Sequence, residues 1–278
     1  IKTARKYAAE HKGADHFTVV TLQNSFHGRT LATLAATGQE VFHKDFLPLT
    51  PGFASTPAND AAALMALAKE CKAAAIMMEP VQGEGGVMPL DEGFVQAVAA
   101  FAAKEDILLI VDEVQTGNGR TGTLYAYEQY GITPDIVTTA KGLGGGLPIG
   151  ATLFGEKVQD TLRPGDHGST FGGNPVCCAG AISVLSRIDD ALLDEVRKKS
   201  AYIFEELTGA PGVDGVSGLG LMIGVATQKP AGEVVKSCLE NGVLCLTAKT
   251  KVRLLPALNI PWEELKTAVA VLKAACAG

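Results

Sequence analysis

The sequence predicts an α/β fold built on a mostly parallel central sheet. Two apolar runs, 107–111 and 136–140, have the length and the β-branched composition of strands that are buried on both faces. A helix-length segment separates them, and each run is followed by one charged residue and then by glycine-rich sequence. Open α/β sheets bind ligands beyond the carboxyl ends of their strands, so we expect Asp112 and Lys141, which follow the two runs, to share one crevice.

The rest of the first domain supplies the flanking elements. Apolar residues at helical spacing in 1–12 predict the end of a helix. Further strands are predicted at 17–23, 51–57, 73–79 and 149–154, and helices at 60–71, 91–104 and 175–188. The strand at 149–154 is expected at the far side of the sheet.

The C-terminal part of the chain predicts a smaller α+β domain. Its helices are expected at 192–208, 231–241 and 262–275, and its strands at 221–227, 243–247 and 252–255. We therefore divide the chain into a large domain, 1–182, and a small C-terminal domain, 183–278.

Composition excludes several classes of function. The chain has 278 residues, 47% of them hydrophobic, and a formal net charge of −6 without a basic block, which leaves no footprint for nucleic acid or an anionic membrane. No apolar run approaches the roughly 20 residues that span a bilayer, and the first residues contain no signal-peptide core. The six cysteines lack the spacing of a zinc site or a disulfide framework. These features predict a cytoplasmic protein with reduced thiols, no metal and small-molecule partners.

A carboxylate and an amine at one crevice suit a cofactor with a basic ring nitrogen and an aldehyde, which is pyridoxal 5'-phosphate. Taken singly, Asp112 has the simpler interpretation of a turn cap and Lys141 that of a solvated surface group. The glycines that follow both residues allow close backbone approach to a ligand and favour the cofactor. The segment 142–147 does not fit the dinucleotide fingerprint, because its sixth position is Leu, and no Gly-Lys-Ser/Thr triplet is present for a P-loop.

Four residues in the first domain carry groups that suit a ligand site. The ring of Phe26 suits packing on an aromatic ligand, and Arg29 offers a planar fork for a carboxylate. Glu79 and Glu84, five residues apart in a glycine-rich loop, suit acid–base work. Each also has an ordinary interpretation: core packing for the ring, a surface ion pair for the guanidinium, and loop caps for the carboxylates.

Two later positions are ambiguous in the same way. Ser169 and Thr170 precede a predicted helix start, which suits either a bound phosphate or a simple helix cap. Arg253 lies in an apolar predicted strand, where its charge needs a partner.

Five motifs in this order resemble the class III pyridoxal-phosphate aminotransferases. They are NSFHGRT at 24–30, EPVQGEGG at 79–86, DEVQTG at 112–117, KGL at 141–143 and GSTFGGNP at 168–175. The resemblance implies the PLP-dependent transferase fold type I. HGRTLATLAATGQ at 27–39 and RLLPAL at 253–258 most resemble the members that move the amino group of N2-acetylornithine to 2-oxoglutarate, a ping-pong reaction of arginine biosynthesis. Ornithine, succinylornithine and 4-aminobutyrate remain alternative donors.

The resemblance implies how the cofactor is held. Lys141 is expected to bind it covalently and then to carry a proton, and Asp112 to accept the pyridine N–H. Phe26 and Val114 are expected to pack on opposite faces of the ring. Gln115 is expected to hydrogen-bond the phenolic oxygen.

The resemblance also implies the substrate contacts. Arg29 is expected to bind the α-carboxylate of the amino acid, and Glu79 to line the same pocket. Arg253 is expected to bind the side-chain carboxylate of glutamate in one half-reaction and to pair with Glu84, acting as a gate, in the other. No role is assigned to His27.

Ser169 and Thr170 resemble residues that contact the cofactor phosphate of the neighbouring subunit, which implies a homodimer with shared active sites. Family members also carry, before the position of Ile1, a Ser/Thr-Gly-Ala segment that holds this phosphate, and an N-terminal arm. The resemblance therefore implies that the N-terminal part of a family chain is lacking. An inactive truncated form that only dimerises is the alternative to an active enzyme.

Overall fold

The structure, a computed structural model, describes residues 1–278. In chain order the helices are α1 (Lys2–His11), α2 (Leu31–Ala36), α3 (Ala61–Glu70), α4 (Glu92–Lys104), α5 (Pro175–Leu185), α6 (Asp190–Leu207), α7 (Ala231–Glu240) and α8 (Trp262–Ala277). The strands are β1 (Thr18–Leu22), β2 (Phe53–Thr56), β3 (Ala73–Met78), β4 (Val81–Gln82), β5 (Met88–Pro89), β6 (Leu108–Asp112), β7 (Ile136–Thr139), β8 (Ala151–Phe154), β9 (Val213–Leu219), β10 (Met222–Thr227), β11 (Leu246–Ala248) and β12 (Lys251–Leu254).

The chain forms two compact units. Unit 1 comprises Ile1–Pro80, Leu90–Gln115 and Tyr127–Leu185, and unit 2 comprises Val81–Pro89, Thr116–Ala126 and Ser186–Gly278. The predicted division at 182/183 keeps the two short segments 81–89 and 116–126 in the first domain, whereas the observed units place both in the second. The reason is packing: Val81 and Val87 are buried in one cluster with Met222 of β10.

A six-stranded sheet organises unit 1. Its strand order is β2-β1-β3-β6-β7-β8, in which all neighbours are parallel except β7 and β8. This confirms the predicted mostly parallel sheet, and it places the strand predicted at 149–154 on an edge. The return at β8 is antiparallel, and all four of its residues are exposed.

Alternate residues of the central strands pack on opposite faces of this sheet. Val20, Ile76 and Leu109 join the side chains of α3 and α4 on one face, while Val19 and Leu108 join α1 on the other. This period of two is the pleat of a strand that is buried on both sides. Each fully buried aliphatic side chain contributes about 1.5–3 kcal/mol, so the sheet is a firm base for residues at its ends.

Polar caps define where several helices begin. Asp60 Oδ1 accepts the backbone N–H of Ala63 at the start of α3, at 2.9 Å. Asp189 Oδ1 accepts that of Leu192 at the start of α6, also at 2.9 Å. Such caps satisfy N–H groups that the helix leaves without partners.

Unit 2 is an α+β layer structure, as the sequence predicts. Its four-stranded antiparallel sheet has the order β11-β12-β10-β9, and β4 and β5 form a separate two-stranded ribbon. The core lies between this sheet and α6, α7 and α8. Strand β9 was not predicted, because its sequence VDGVSGL is rich in residues of low strand propensity; pairing with β10 along most of its length holds it in place.

None of the helices is both long and apolar enough to cross a membrane.

Candidate active site

Three neighbouring strands end in polar residues at one edge of the central sheet. Glu79 directly follows β3, Asp112 is the last residue of β6, and Lys141 lies two residues beyond β7. These strands are parallel neighbours, and Asp112 is in register with Thr138 of β7. Because parallel strands end at the same edge, Asp112 and Lys141 lie where the sequence analysis expects them.

The carboxylate of Asp112 is buried and held by three donors. Its Oδ1 accepts the backbone N–H of Val114 at 3.1 Å and the hydroxyl of Thr138 at 3.0 Å. Its Oδ2 lies 2.8 Å from Nδ1 of His27. The donors come from β7, from the turn after β6 and from the loop after β1, so the orientation of the carboxylate is fixed from three sides. A buried charge needs such partners.

His27 is the residue of this cluster that the sequence analysis missed. Its side chain is fully buried, and its backbone N–H donates to Thr37 Oγ1 at 2.9 Å. Burial by itself lowers the pKa of His27, but the hydrogen bond to Asp112 and the charges of Asp112 and Glu79 outweigh it, so that the pKa is raised above its ordinary value. The sequence does contain a signal for His27: it follows a buried strand, β1, just as Asp112 comes at the end of the buried strand β6.

Phe26 and Arg29 belong to the loop after β1, which lies close to the same edge of the sheet. Glu79 Oε1 accepts the backbone N–H of Phe26 at 2.8 Å. The Phe26 ring packs edge-on against Phe42, with 5.6 Å between ring centroids. The Arg29 guanidinium carbon lies 5.4 Å from the centroid of Phe26 and 4.9 Å from that of Phe42. Since Arg29 is exposed, its fork remains open to a carboxylate ligand.

The backbone at Lys141 has an uncommon conformation. Its φ is +47°, in the left-handed region that non-glycine residues seldom adopt. The 3₁₀ turn Lys141–Gly144 begins here and is capped by Gly145, which also has a positive φ of +58°. Lys141 is exposed. Backbone strain of this kind persists at sites where the surrounding structure fixes a functional side chain.

Val114 and Gln115 follow Asp112 in the turn beyond β6. Val114 is half-buried. The amide Nε2 of Gln115 is buried and has no hydrogen-bond partner in the protein. An unsatisfied buried donor costs about 1–3 kcal/mol, a cost that a bound acceptor would remove.

Ser169 and Thr170 lie in an exposed segment, 167–176. The helix that follows is capped by Asn174, whose Oδ1 accepts the backbone N–H groups of Val176 at 3.0 Å and Cys177 at 3.1 Å. Asn174 therefore caps α5, so the hydroxyls of Ser169 and Thr170 do not have to serve as helix caps.

In unit 2, Arg253 of β12 pairs with Glu84 of the loop between β4 and β5. The distance from Arg253 Nη1 to Glu84 Oε1 is 2.7 Å, and Arg253 is buried. Its Nε has no partner in the protein. The two residues that the resemblance implies as a gate are thus in contact.

A second contact holds the segment that carries Glu84. Ser217 Oγ donates to the backbone oxygen of Val87 at 2.8 Å, and Lys251 Nζ donates to Ser217 Oγ at 2.7 Å. Val87 has a φ of +51°, an outlier for a β-branched residue. Desolvation lowers the pKa of Lys251. The loop around Glu84 is therefore fixed in a strained conformation.

The residues of unit 1 fit an aromatic cofactor with a ring N–H, an aldehyde and a phenolic oxygen. The buried carboxylate of Asp112 suits the N–H, the amine of Lys141 suits the aldehyde, and the orphaned amide of Gln115 suits the oxygen. The structure brings Phe26, His27, Glu79 and Asp112 into one hydrogen-bonded group.

Comparisons of the sequence and of the structure with known proteins all lead to aminotransferases. The family described as "Aminotransferase class-III" matches residues 1–276. An acetylornithine aminotransferase of Haemophilus ducreyi is 53% identical over 98% of this chain and 70% of its own length. The N-acetylornithine aminotransferase structure from Stenotrophomonas maltophilia has a TM-score of 0.83 at 35% identity and covers 99% of this chain, which spans 70% of it. The ornithine aminotransferase structure from Toxoplasma gondii has a TM-score of 0.93 at 34% identity, with coverage of 99% and 68%.

A match to the family along almost the whole chain agrees with the parallel sheet and with the polar strand ends described above. The chain belongs to the class-III aminotransferases.

Proposed function

We propose that the chain is a pyridoxal-phosphate-dependent aminotransferase that moves the amino group of N2-acetylornithine to 2-oxoglutarate. The observation that carries this proposal is the placement of Asp112 and Lys141 at the ends of two adjacent parallel strands. The similarity to acetylornithine aminotransferases supports the choice of donor. Ornithine is the second candidate donor, which the similarity to the Toxoplasma ornithine aminotransferase favours.

The residues of unit 1 bind the cofactor and move protons. When bound, pyridoxal phosphate supplies a cationic ring that makes the Cα–H bond of the amino acid acidic. Asp112 holds the ring N–H through its carboxylate, which three hydrogen bonds orient. Lys141 Nζ binds the cofactor and then accepts and returns the proton of the substrate Cα. Phe26 and Val114 enclose the ring, and Gln115 donates to its phenolic oxygen.

Charged residues select the substrates. Arg29 binds the α-carboxylate through its exposed planar fork, and Glu79 lines the pocket. Arg253 binds the side-chain carboxylate of glutamate. When the amino donor lacks that carboxylate, Glu84 neutralises Arg253, and their 2.7 Å contact supports this role. The two pairing states match the two halves of a ping-pong reaction.

The active form is a homodimer in which Ser169 and Thr170 contact the phosphate of the neighbouring subunit's cofactor. Large apolar side chains near these residues support a second copy as the partner. Phe171 is 83% exposed, and Val176 and Ile182 are 66% and 68% exposed. Interface cores are enriched in aromatic side chains, so the exposed ring of Phe171 fits a position at a protein interface.

Subunit mixing tests the shared site. We expect Lys141→Ala alone and the double variant Ser169→Ala/Thr170→Ala alone to be inactive, and a mixture of the two to recover part of the activity, because one site of a mixed dimer is intact. No recovery after proven subunit exchange would argue against shared sites. We also place the enzyme in the cytoplasm, which its six free cysteines support. The proposed donor places it in arginine biosynthesis.

Borohydride trapping tests the cofactor. We expect reduction in the presence of pyridoxal phosphate to leave a pyridoxyl group on Lys141, identified by peptide mass spectrometry. Lys141→Ala should lose this mass shift, and Lys236→Ala, which changes an exposed lysine of α7, should keep it. A folded protein without the shift would support the inactive form that only dimerises.

A donor screen tests the substrate. Each donor is offered with 2-oxoglutarate, and glutamate is measured. We expect the highest kcat/KM for N2-acetylornithine. A higher value for ornithine, succinylornithine or 4-aminobutyrate would reassign the donor within the family.

A further inference from the structure

The His27–Asp112 pair stands out in unit 1 because the sequence assigns His27 no role. The imidazole is fully buried, and its Nδ1 lies 2.8 Å from Asp112 Oδ2. A histidine that only filled space would need no charged partner, and a neutral polar partner would cost less to bury. A carboxylate as the partner of buried His27 therefore indicates a role beyond packing.

The two oxygens of Asp112 have different kinds of partner. Oδ1 is bound by two neutral donors, the N–H of Val114 and the hydroxyl of Thr138. Oδ2 has His27, which is the one partner of the carboxylate able to carry a positive charge. Neutral donors orient a carboxylate, whereas a buried cation also compensates its charge.

The surroundings of His27 favour its protonated form. Two carboxylates act on the ring, Asp112 by direct contact and Glu79 through its charge, and their combined effect exceeds that of burial. The backbone N–H of His27 donates to the hydroxyl of Thr37, which is neutral. The ring Nε2 has no hydrogen-bond partner in the protein, so Asp112 is the hydrogen-bond partner of the ring.

We propose that His27 is a positioning residue, whose imidazolium binds the buried carboxylate of Asp112 and aims it at the ring nitrogen of the cofactor. This inference rests on the proposed function. It explains why a carboxylate that two neutral donors already orient has a third partner that can carry a positive charge. It also explains why a loop after β1 reaches across the end of β3 to a residue of β6.

The first test uses the protein without cofactor. Nitrogen-15 NMR of the histidine rings follows protonation directly, and His27→Gln identifies the His27 signals. We expect His27 in the wild type to lose its proton above pH 6.5, the ordinary pKa of histidine. In Asp112→Asn, where the effect of burial prevails, we expect His27 to lose its proton below pH 6.5. Thr138→Val, which removes a neutral donor from the same carboxylate, should leave His27 above 6.5. A wild-type ring that is neutral below pH 6.5 would overturn the proposal, whatever the variants do.

The second test measures pyridoxal phosphate binding by fluorescence, with its absorbance followed against pH. We expect His27→Phe, which keeps an aromatic ring but has no ring nitrogen, to raise Kd at least tenfold and to shift the pH dependence of the absorbance. His27→Asn, which can still donate to Asp112, should recover part of the affinity but not the pH profile. His16→Asn, at a half-buried histidine paired with Asp15, should change neither the Kd nor the pH profile.

The outcomes separate the two proposals. A wild-type chain that binds no pyridoxal phosphate would overturn the proposed function, while the NMR titration would still decide whether the pair is charged. Cofactor binding by the wild type with an unchanged Kd and pH profile in His27→Phe would overturn the positioning role alone.

Discussion

Arg253 and Glu84 are 169 positions apart in the sequence, yet Nη1 of one lies 2.7 Å from Oε1 of the other. The arginine is almost fully buried, whereas the side chain of the glutamate is about one-third exposed. Breaking such a pair costs more at the buried partner, because a desolvated charge is then left alone. Glu84, the more exposed partner, can move away at a smaller cost in free energy. The geometry therefore fits a glutamate that releases Arg253 when a substrate carboxylate binds.

Glu84→Ala is expected to relax the discrimination between N2-acetylornithine and glutamate. Without Glu84, Arg253 keeps an unpaired charge that favours the carboxylate of glutamate and disfavours a donor without one. We expect the ratio of kcat/KM for acetylornithine to that for glutamate to fall about tenfold or more, which corresponds to about 1.4 kcal/mol. Steady-state kinetics of each half-reaction gives this ratio.

Glu206→Ala is the matched control. It removes a carboxylate from another 2.7 Å ion pair of unit 2, with Lys273. We expect this half-exposed pair to leave the ratio unchanged. Equal ratios in the wild type and in Glu84→Ala would remove the gate from the mechanism.

Asp112→Asn should leave the fold intact and lower kcat by about two to three orders of magnitude, because an amide cannot hold the ring N–H as an ionised carboxylate does. Asp60→Asn is the control: it makes the same chemical change at the cap of α3, where asparagine caps equally well. Turnover and the midpoint of thermal unfolding are measured for both. Near-normal turnover in Asp112→Asn would contradict the assigned role.

The sequence was informative where chemistry follows directly from a buried strand. Asp112 and Lys141 each come at or just after an apolar run, and consecutive parallel strands that are neighbours bring their ends together. Those two positions could be expected from pattern alone. The other roles at this edge depended on resemblance to a family.

The sequence was less informative where the strand order decides. The contact of His27 with Asp112 depends on the order β1-β3-β6, which no local pattern specifies. The assignment of the segment that carries Glu84 to unit 2 depends on the burial of Val87 with Met222, which tertiary packing alone establishes. Strand β9 escaped detection because its glycines and its aspartate contradict local propensity.

Gly38 is expected to be essential to the loop that carries Phe26 and His27. A Cβ at this position would overlap the backbone oxygen of Leu22 and approach the Cα of Gln23. Gly38 also accepts the backbone N–H of Asn24 at 2.8 Å, so the strand and the loop would have to separate. We expect Gly38→Ala to lower the free energy of unfolding by about 2 kcal/mol or more, measured in urea.

Gly93→Ala provides a control of opposite sign. Gly93 lies in α4, and a Cβ there meets no atom within 4 Å. Alanine should stabilise the helix by about 0.5 kcal/mol, because it restricts the unfolded chain and has the higher helix propensity. If both variants are equally stable, the close approach at Gly38 is not what fixes the loop.

Tyr130 provides a prediction about alkaline pH. Its hydroxyl donates to the backbone oxygens of Pro80 at 3.1 Å and Leu90 at 3.2 Å. Burial, with the nearby charges of Glu113, Asp91 and Glu92, raises the pKa of Tyr130 from 10.0 to about 12. Because the folded state holds this proton more tightly than the unfolded state, the associated stability is complete below pH 10 and is lost as pH rises towards 12.

Tyr130→Phe isolates this effect from the other groups that titrate at high pH. At pH 8 we expect the variant to be less stable by about 1 kcal/mol, because two hydrogen bonds from the Tyr130 hydroxyl to backbone oxygens are lost. Between pH 10 and 12 the wild type should lose stability more steeply than the variant, and the difference between the two free energies of unfolding should shrink. Urea unfolding across this range measures both slopes. Parallel slopes would mean that Tyr130 ionises as readily in the folded chain as in the unfolded one, which its two hydrogen bonds and its buried position argue against.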